Sequence, residues 1–271
     1  MSGTLPDQPV HWDTGELPSH ASPAPEDPWS ALRRHTPARI SLGRAGTSLP
    51  TSEVLRFAAA HAAARDAVHL PLDVDALLAD LRTLGFEATT AASRASTRLE
   101  YLTRPDLGRQ LAPSDDDASP PHAGGGLCIV VADGLSAIAA QRHAAPLLAA
   151  LRDAGVTADR LVVATQARVA LGDAIGEQSG AALVLVLIGE RPGLSSPDSL
   201  GAYLTWQPSV GRADSERNCV SNIRPEGLPL AAAASRIAWL VRESRRRRVT
   251  GIALKDDSEV LTVDGVQALR E

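Results

Sequence analysis

The stretch LVLVLI at residues 183–188, followed at once by GERPGLSSPDSL at residues 189–200, decides the fold of this chain. Six consecutive apolar residues, several of them β-branched, are typical of a central parallel strand that is buried on both faces. The glycine, proline and serine residues behind them predict a loop at the carboxyl end of that strand. Ligands of open α/β sheets bind at this edge. We therefore expect an α/β protein whose functional site lies beside Glu190.

The composition fits one sizeable folded, soluble domain with an accessory region. The chain has 271 residues, of which 44% are apolar, and a net charge of −5. Nucleic acid and a membrane are not expected partners, since the basic run at residues 245–248 is short and no apolar run reaches the length of a membrane span. Residues 1–7 lack the features of a signal peptide. Two cysteines, Cys128 and Cys219, are too few for a disulfide framework and favour a reducing, cytoplasmic location.

The first half of the chain is predicted to be mostly helical. It opens with residues 1–30, whose six prolines lie among polar residues and predict a disordered tail. Residues 51–69 are rich in alanine and contain no glycine or proline, so they predict a long helix. We expect a second helix capped by Asp73 and ended by Gly85, and a third over residues 91–102.

Strands and helices alternate in the second half. Three apolar runs predict strands with helices between them, and a long helix and a final strand follow. The strands are expected at residues 127–132, 161–164, 183–188 and 251–255, and the last helix at 229–246. Strands separated by helices of this length imply a parallel sheet with helices on both faces.

Five parts follow from this pattern. They are a disordered proline-rich tail at residues 1–30, an N-terminal helical region at 31–114, a flexible linker at 115–126, an α/β domain at 127–257 and a C-terminal extension at 258–271. The predicted fold class is α/β, with an N-terminal helical region followed by a doubly wound, mostly parallel (Rossmann-like) sheet. No role is assigned to the extension.

Asp133 and Ser136 follow the first of these strands, at the point where a helix begins. They could cap that helix or, together with its N-terminus, hold a ligand group, and both interpretations stay open. Neither a G-x-G-x-x-G nor a G-x-x-x-x-G-K-[ST] pattern follows a strand, which excludes dinucleotide and P-loop nucleotide sites.

Charged residues directly behind a buried strand are a second candidate. Glu190 and Arg191 must be solvated, paired or ligand-bound, and an ion pair between them or across the loop stays open. An apolar side chain such as Val169, behind the second strand, is usually part of a core. Cys219 has no histidine beside it in sequence and does not resemble an activated thiolate. The seven histidines show no metal spacing, so neither a metal site nor a catalytic residue is predicted.

Six separate blocks of sequence carry a resemblance to one family. They are residues 38–51 (ARISLGRAGTSLPT), 101–108 (YLTRPDLG), 132–137 (ADGLSA), 168–173 (RVALGD), 188–200 (IGERPGLSSPDSL) and 218–223 (NCVSNI). In this order they closely resemble the small (light) subunit of ethanolamine ammonia-lyase. The resemblance extends from about residue 38 to residue 255 and is far more specific than any single block.

The resemblance implies an adenosylcobalamin-dependent enzyme that converts ethanolamine to acetaldehyde and ammonia by radical chemistry. This chain would be the non-catalytic subunit, which closes over the cobalamin at its interface with a large (α/β)8-barrel subunit in a hexamer of heterodimers. Matching motifs place the cofactor contacts on Val169, Glu190 and Cys219. An apolar group and a thiol suit the flat corrin surface, and a carboxylate can accept hydrogen bonds from its amides. Because the chain has no D-x-H-x-x-G motif, the cobalt should keep its own dimethylbenzimidazole, the base-on state.

Two functions from other classes stay open beside this one. The chain could be a purely structural partner subunit, or an independent α/β enzyme for a phosphorylated ligand at the same sheet edge. The second alternative lacks an identifiable base and nucleophile. Packaging of a cytoplasmic enzyme into a bacterial microcompartment is also left open.

Overall fold

The structure, a computed structural model, describes residues 27–36, 38–113 and 125–258. The chain divides into two compact units, with the boundary in sequence between Val54 and Leu55. Most of the expected tail, linker and C-terminal extension lies outside the described residues, so the five-part division stays a prediction.

The first unit begins with a 3₁₀ helix at Pro28–His35. Asp27 caps it, because its carboxylate accepts a hydrogen bond from the backbone N–H of Trp29 at 2.9 Å. The hydroxyl of Ser41 donates to the same carboxylate at 2.5 Å, which ties the following segment to the cap. The expected long helix, α1, spans Thr51–His69 and so crosses the boundary between the units.

The second unit alternates helices and strands. Its elements in chain order are α2 (Val74–Thr83), β1 (Thr89–Ala92), α3 (Arg98–Thr103), β2 (Leu127–Ala132), α4 (Ala137–Asp153), β3 (Arg160–Thr165), α5 (Leu171–Gln178), β4 (Leu183–Gly189), β5 (Leu200–Trp206), β6 (Arg217–Ile223) and α6 (Leu230–Arg247). As expected, the Asp73 carboxylate caps α2 by accepting from the N–H of Ala76 at 3.0 Å. No helix in the described residues is both long enough and apolar enough to cross a membrane.

The six strands form one sheet in the order β1-β3-β2-β4-β5-β6. The first four are parallel to one another, whereas β5 is antiparallel to β4 and β6 is antiparallel to β5. Every residue of β2 and β4 is buried, as their unbroken apolar sequences predict. The fold is therefore of the expected α/β class with a mostly parallel sheet.

Helices cover both faces of the sheet. On one face, here called the α4/α6 face, apolar residues of α4 and α6 pack against alternate strand residues such as Leu185 and Leu204. On the other, here called the α5 face, Leu171 and Ile175 of α5 pack against Val186 and its neighbours. This arrangement is the expected doubly wound one.

Two expectations about elements were wrong, and two strands were not expected. The helix expected over residues 91–102 is divided into β1 and α3, because Thr89–Ala92 pairs with β3 at the edge of the sheet. The strand expected over residues 251–255 is a 3₁₀ helix at Gly251–Ala253. The expected loop after β4 is present up to residue 199, but the strands β5 and β6 that follow it were not predicted.

Candidate functional site

The carboxyl ends of the parallel strands form one edge of the sheet. There, Ala132 of β2 pairs with Ala164 of β3 on one side and with Ile188 of β4 on the other. β5 begins at the same edge, with Leu200 opposite Gly189, and β6 ends at it. Loops and strand ends from most of the sheet therefore meet where open α/β sheets bind ligands.

Glu190 follows β4 directly, and its side chain lies over the start of β5. One carboxylate oxygen, Oε2, accepts hydrogen bonds from the hydroxyl of Ser199 at 2.5 Å and from the backbone N–H of Asn222 in β6 at 3.1 Å. Gly201 leaves room for this, because a Cβ at that position would lie 2.9 Å from Oε1. In the described part of the chain, hydrogen bonds therefore hold Glu190, and the ion pair with Arg191 that the sequence left open is not formed.

Cys219 lies within β6, and its thiol is exposed. It stands directly opposite Tyr203 of β5, so both side chains project from the same face of the sheet. Tyr203 packs against the apolar cluster on the α5 face, whereas Val220, the next residue after Cys219, belongs to the core on the α4/α6 face. Cys219 therefore presents its thiol on the α5 face.

Val169 lies between β3 and α5 and packs, partly buried, against the cluster on the α5 face. Its carbonyl accepts a hydrogen bond from the N–H of Gly172 at 3.0 Å, within the turn that leads into α5. β2 runs between β3 and β4, so the ends of those two strands are separated by two strand spacings, or about 10 Å. Val169 thus shares a face and an edge with Glu190, on strands that are not neighbours.

The structure brings Glu190 and Cys219 onto one patch, with Gly201 and Tyr203 between them. We call these four residues the β4–β6 patch. Sequence reasoning missed Gly201 and Tyr203 because the run LGAYLTW at residues 200–206 follows a glycine- and proline-rich loop. A local pattern does predict this strand, because apolar residues at every second position of the run are typical of a half-buried strand.

Asp133 and Ser136, the other candidates, have structural roles. The Ser136 hydroxyl caps α4 by accepting from the N–H of Ala139 at 3.3 Å, which confirms the capping interpretation for this residue. Asp133 is 2% exposed and accepts from the backbone N–H groups of residues 166–167 and from Arg98 at 3.1 Å. Burial raises the pKa of the Asp133 carboxyl, and these donors oppose the shift. The carboxylate therefore joins α3 to the loop that leads to Val169.

A fully buried tyrosine, Tyr101, strengthens the same connection. Its hydroxyl donates to the carbonyl of Ala167 at 3.0 Å. The guanidinium groups of Arg98 and Arg168 lie 4.8 and 4.4 Å from its ring centre, within cation–π distance. Burial raises the pKa of Tyr101 to about 12, although both arginines favour the ionised form.

This shift predicts an alkaline loss of stability that Tyr101→Phe should remove. The unfolded chain loses the Tyr101 proton near pH 10 and the native chain only near pH 12. The stabilisation is therefore complete below pH 10 and declines as the pH rises toward 12, by about 2 to 3 kcal/mol in all. Urea midpoints measured at about pH 9 and about pH 11 should fall further for the wild type than for the variant. If the urea midpoints of the wild type and the variant fell equally, the raised pKa of Tyr101 would be contradicted.

A buried ion pair lies on the α5 face at the other end of β5 and β6, away from Glu190. The Arg217 guanidinium of β6 donates to the Asp173 carboxylate of α5 at 2.6 Å, and both side chains are at most 2% exposed. Arg217 also donates to the hydroxyl of Thr205 in β5 at 3.1 Å and to the carbonyl of Arg212 at 2.8 Å. The Arg217 side chain thus connects β5 and β6 to α5. Within residues 27–36, 38–113 and 125–258, no group of three or more histidine, cysteine, aspartate or glutamate residues is placed to hold a metal ion.

Comparison with known proteins identifies the family. The profile described as ethanolamine ammonia-lyase light chain (EutC) matches residues 26–255, which include Val169, Glu190 and Cys219. The chain belongs to the ethanolamine ammonia-lyase light chain family. The resemblance carried by the six sequence blocks is thereby confirmed.

Curated members of the light chain family are similar to this chain over most of its length. The ethanolamine ammonia-lyase small subunit of Azotobacter vinelandii is 54% identical over 256 residues, which cover 91% of this chain and 95% of the relative. The protein of the same name from Ralstonia nicotianae is 54% identical, with 87% and 90% covered. That of Pseudomonas syringae pv. tomato is 50% identical, with 96% and 92% covered.

Proposed function

We propose that this chain pairs with a large subunit to form an adenosylcobalamin-dependent ethanolamine ammonia-lyase, and that it covers the cofactor at the interface. The observation that carries the proposal is the β4–β6 patch, where Glu190 and Cys219 share one face of the sheet at its ligand-binding edge. The family's description names an ethanolamine ammonia-lyase, and the conversion of ethanolamine to acetaldehyde and ammonia is part of the proposal. The relatives' designation as small subunits supports a large partner.

The residues present fit a corrin in their chemistry. Cys219 and Tyr203 lie side by side on one face of the sheet, and the thiol is exposed. Both hydrogen bonds that Glu190 accepts within the described residues go to Oε2, so Oε1 remains to accept from a cofactor amide. Val169 adds apolar surface from the same face. Such a mixture of apolar surface and a few polar groups is typical of cofactor sites.

The two subunits have different roles in the proposed enzyme. When bound, adenosylcobalamin supplies the radical that the deamination of ethanolamine requires. This chain contributes binding and orientation, and its side chains over the corrin exclude water from that face of the cofactor. The base-on cofactor and the hexamer of heterodimers belong to the same proposal and rest on the family resemblance.

Activity should depend on the large subunit. We expect the purified chain with adenosylcobalamin to release no ammonia from ethanolamine, because the patch offers cofactor contacts and no base–nucleophile pair. The complex with the large subunit should release both ammonia and acetaldehyde. Turnover by this chain alone would contradict the proposal and favour the independent α/β enzyme.

Alkylation of Cys219 tests cofactor contact without measuring turnover. The apo-complex is treated with N-ethylmaleimide, with and without adenosylcobalamin, and the modified peptides are quantified by mass spectrometry. Cys219 should be protected by the cofactor. Cys128 is the internal control, because it is buried and burial raises its pKa to about 11, so it should stay unmodified in both samples. Equal labelling of Cys219 in a complex that binds cobalamin would favour a purely structural subunit.

A further inference from the structure

We propose that Tyr203 is a fourth cofactor-binding residue, whose ring supports the corrin between Glu190 and Cys219. The inference rests on the proposed function and extends it to a residue that neither the sequence motifs nor the resemblance assigns. Its basis is the position of Tyr203, which lies beside Cys219 and Glu190 and packs against the same apolar cluster as Val169.

Three observations define the position of Tyr203. Tyr203 stands directly opposite Cys219 in the β5–β6 pair. It packs against the same apolar cluster as Val169. A Cβ at Gly201 would lie 3.2 Å from Cε2 of Tyr203 and 2.9 Å from Oε1 of Glu190, so the ring edge and the carboxylate border the same small gap. Tyr203 therefore borders Cys219 and Glu190 and shares an apolar cluster with Val169.

The chemistry of the ring also suits this role. Tyr203 is only partly buried, so part of its ring faces the surface beside the exposed thiol. Burial raises the pKa of its hydroxyl, and the neighbouring Cys219 and Glu190 raise it further, so the hydroxyl stays protonated and can act as a donor. A flat aromatic ring with a polar tip offers a macrocycle both apolar contact and a hydrogen bond.

Gly201 allows the Glu190 carboxylate and the Tyr203 ring to pack closely together. Gly201 pairs with Ile188 of β4 and lies on the same face as Tyr203, two residues along β5. Any larger side chain there would occupy the gap between the carboxylate and the ring. The glycine therefore allows Glu190 and Tyr203 to lie side by side on the face that the corrin would contact.

The test is a titration of the apo-complex with adenosylcobalamin, followed by corrin absorbance. Tyr203→Ala should weaken cofactor binding about three- to tenfold, while Tyr203→Phe, which keeps the ring, should stay within about threefold of the wild type. Phe86→Ala is the matched control, because this partly buried ring packs against the core of the α4/α6 face and not on the α5 face. That variant should bind the cofactor as the wild type does.

Two readouts separate this inference from the proposed function. If adenosylcobalamin fails to protect Cys219 in the wild-type complex, the proposed function fails. If it protects Cys219 but Tyr203→Ala binds with an unchanged dissociation constant, only the role of Tyr203 is overturned. Should Tyr203→Ala not assemble with the large subunit, Tyr203→Leu replaces it, since leucine keeps apolar volume against the cluster and removes the flat ring. Wild-type affinity of an assembled Tyr203→Leu complex would also overturn the inference.

Discussion

Replacing Arg217 with methionine is expected to lower the free energy of unfolding by about 3 to 5 kcal/mol. The reason is the Asp173 carboxylate, which is 1% exposed and would be left buried without its cation. The hydroxyl of Thr205 and the carbonyl of Arg212 would lose a donor at the same time. For a protein of this size the melting temperature should fall by roughly 6 to 20 °C, as measured by circular dichroism during thermal unfolding.

A second substitution shows whether the unpaired charge causes this loss. In the double variant Asp173→Leu/Arg217→Met both charges are removed, and most of the lost stability should return, because a buried ion pair can often be replaced by apolar residues of similar size. Arg104→Met is the matched control, since its ion pair with Asp106 is more than half exposed and should contribute little. A double variant no more stable than Arg217→Met would show that the loss arises from packing or from the bonds to β5.

The parts of the fold that the sequence predicts are those with a strong local pattern. β2 and β4 are unbroken apolar runs, and α1 is a long alanine-rich segment without a breaker, so their types and approximate limits were expected correctly. β1 has the sequence TTAA, which carries no apolar run and lies in alanine-rich surroundings typical of a helix. Pairing with β3 at the sheet edge makes it a strand, and that partner is more than 60 residues away in sequence.

The candidate site was predictable in part for the same reason. The position of Glu190 follows from the strand before it, because a charged residue directly after a buried strand lies at the sheet edge. Its bonds to Ser199 and Asn222 require β5 to turn back beside β4, which no local pattern specifies. The pairing of Cys219 with Tyr203 and the ion pair of Asp173 with Arg217 likewise depend on the placement of β6. Sequence reasoning therefore located the edge correctly and missed the contacts across β5 and β6.

Replacing Glu190 with glutamine is expected to weaken adenosylcobalamin binding by about 10- to 150-fold, while the complex still assembles. Glutamine keeps the shape and one acceptor oxygen, and it removes the charge that strengthens a hydrogen bond from a cofactor amide. A charge-assisted bond contributes about 1.5 to 3 kcal/mol, which sets the size of the effect. Titration of the apo-complex followed by corrin absorbance measures it directly.

Two further variants distinguish cofactor binding from a structural role of Glu190. Ser199→Ala removes one of the two bonds to Oε2 and leaves the charge, so cofactor affinity should change by less than about threefold. Glu177→Gln changes a carboxylate that also accepts a backbone N–H, from Val210, but belongs to α5 rather than the β4–β6 patch, so it should leave affinity unchanged. If Glu190 only holds β4 to β6, Glu190→Gln and Ser199→Ala should both lower stability slightly and leave the dissociation constant as it is. That result would remove Glu190 from the cofactor site, and with it the charged group on which the assignment of the β4–β6 patch depends.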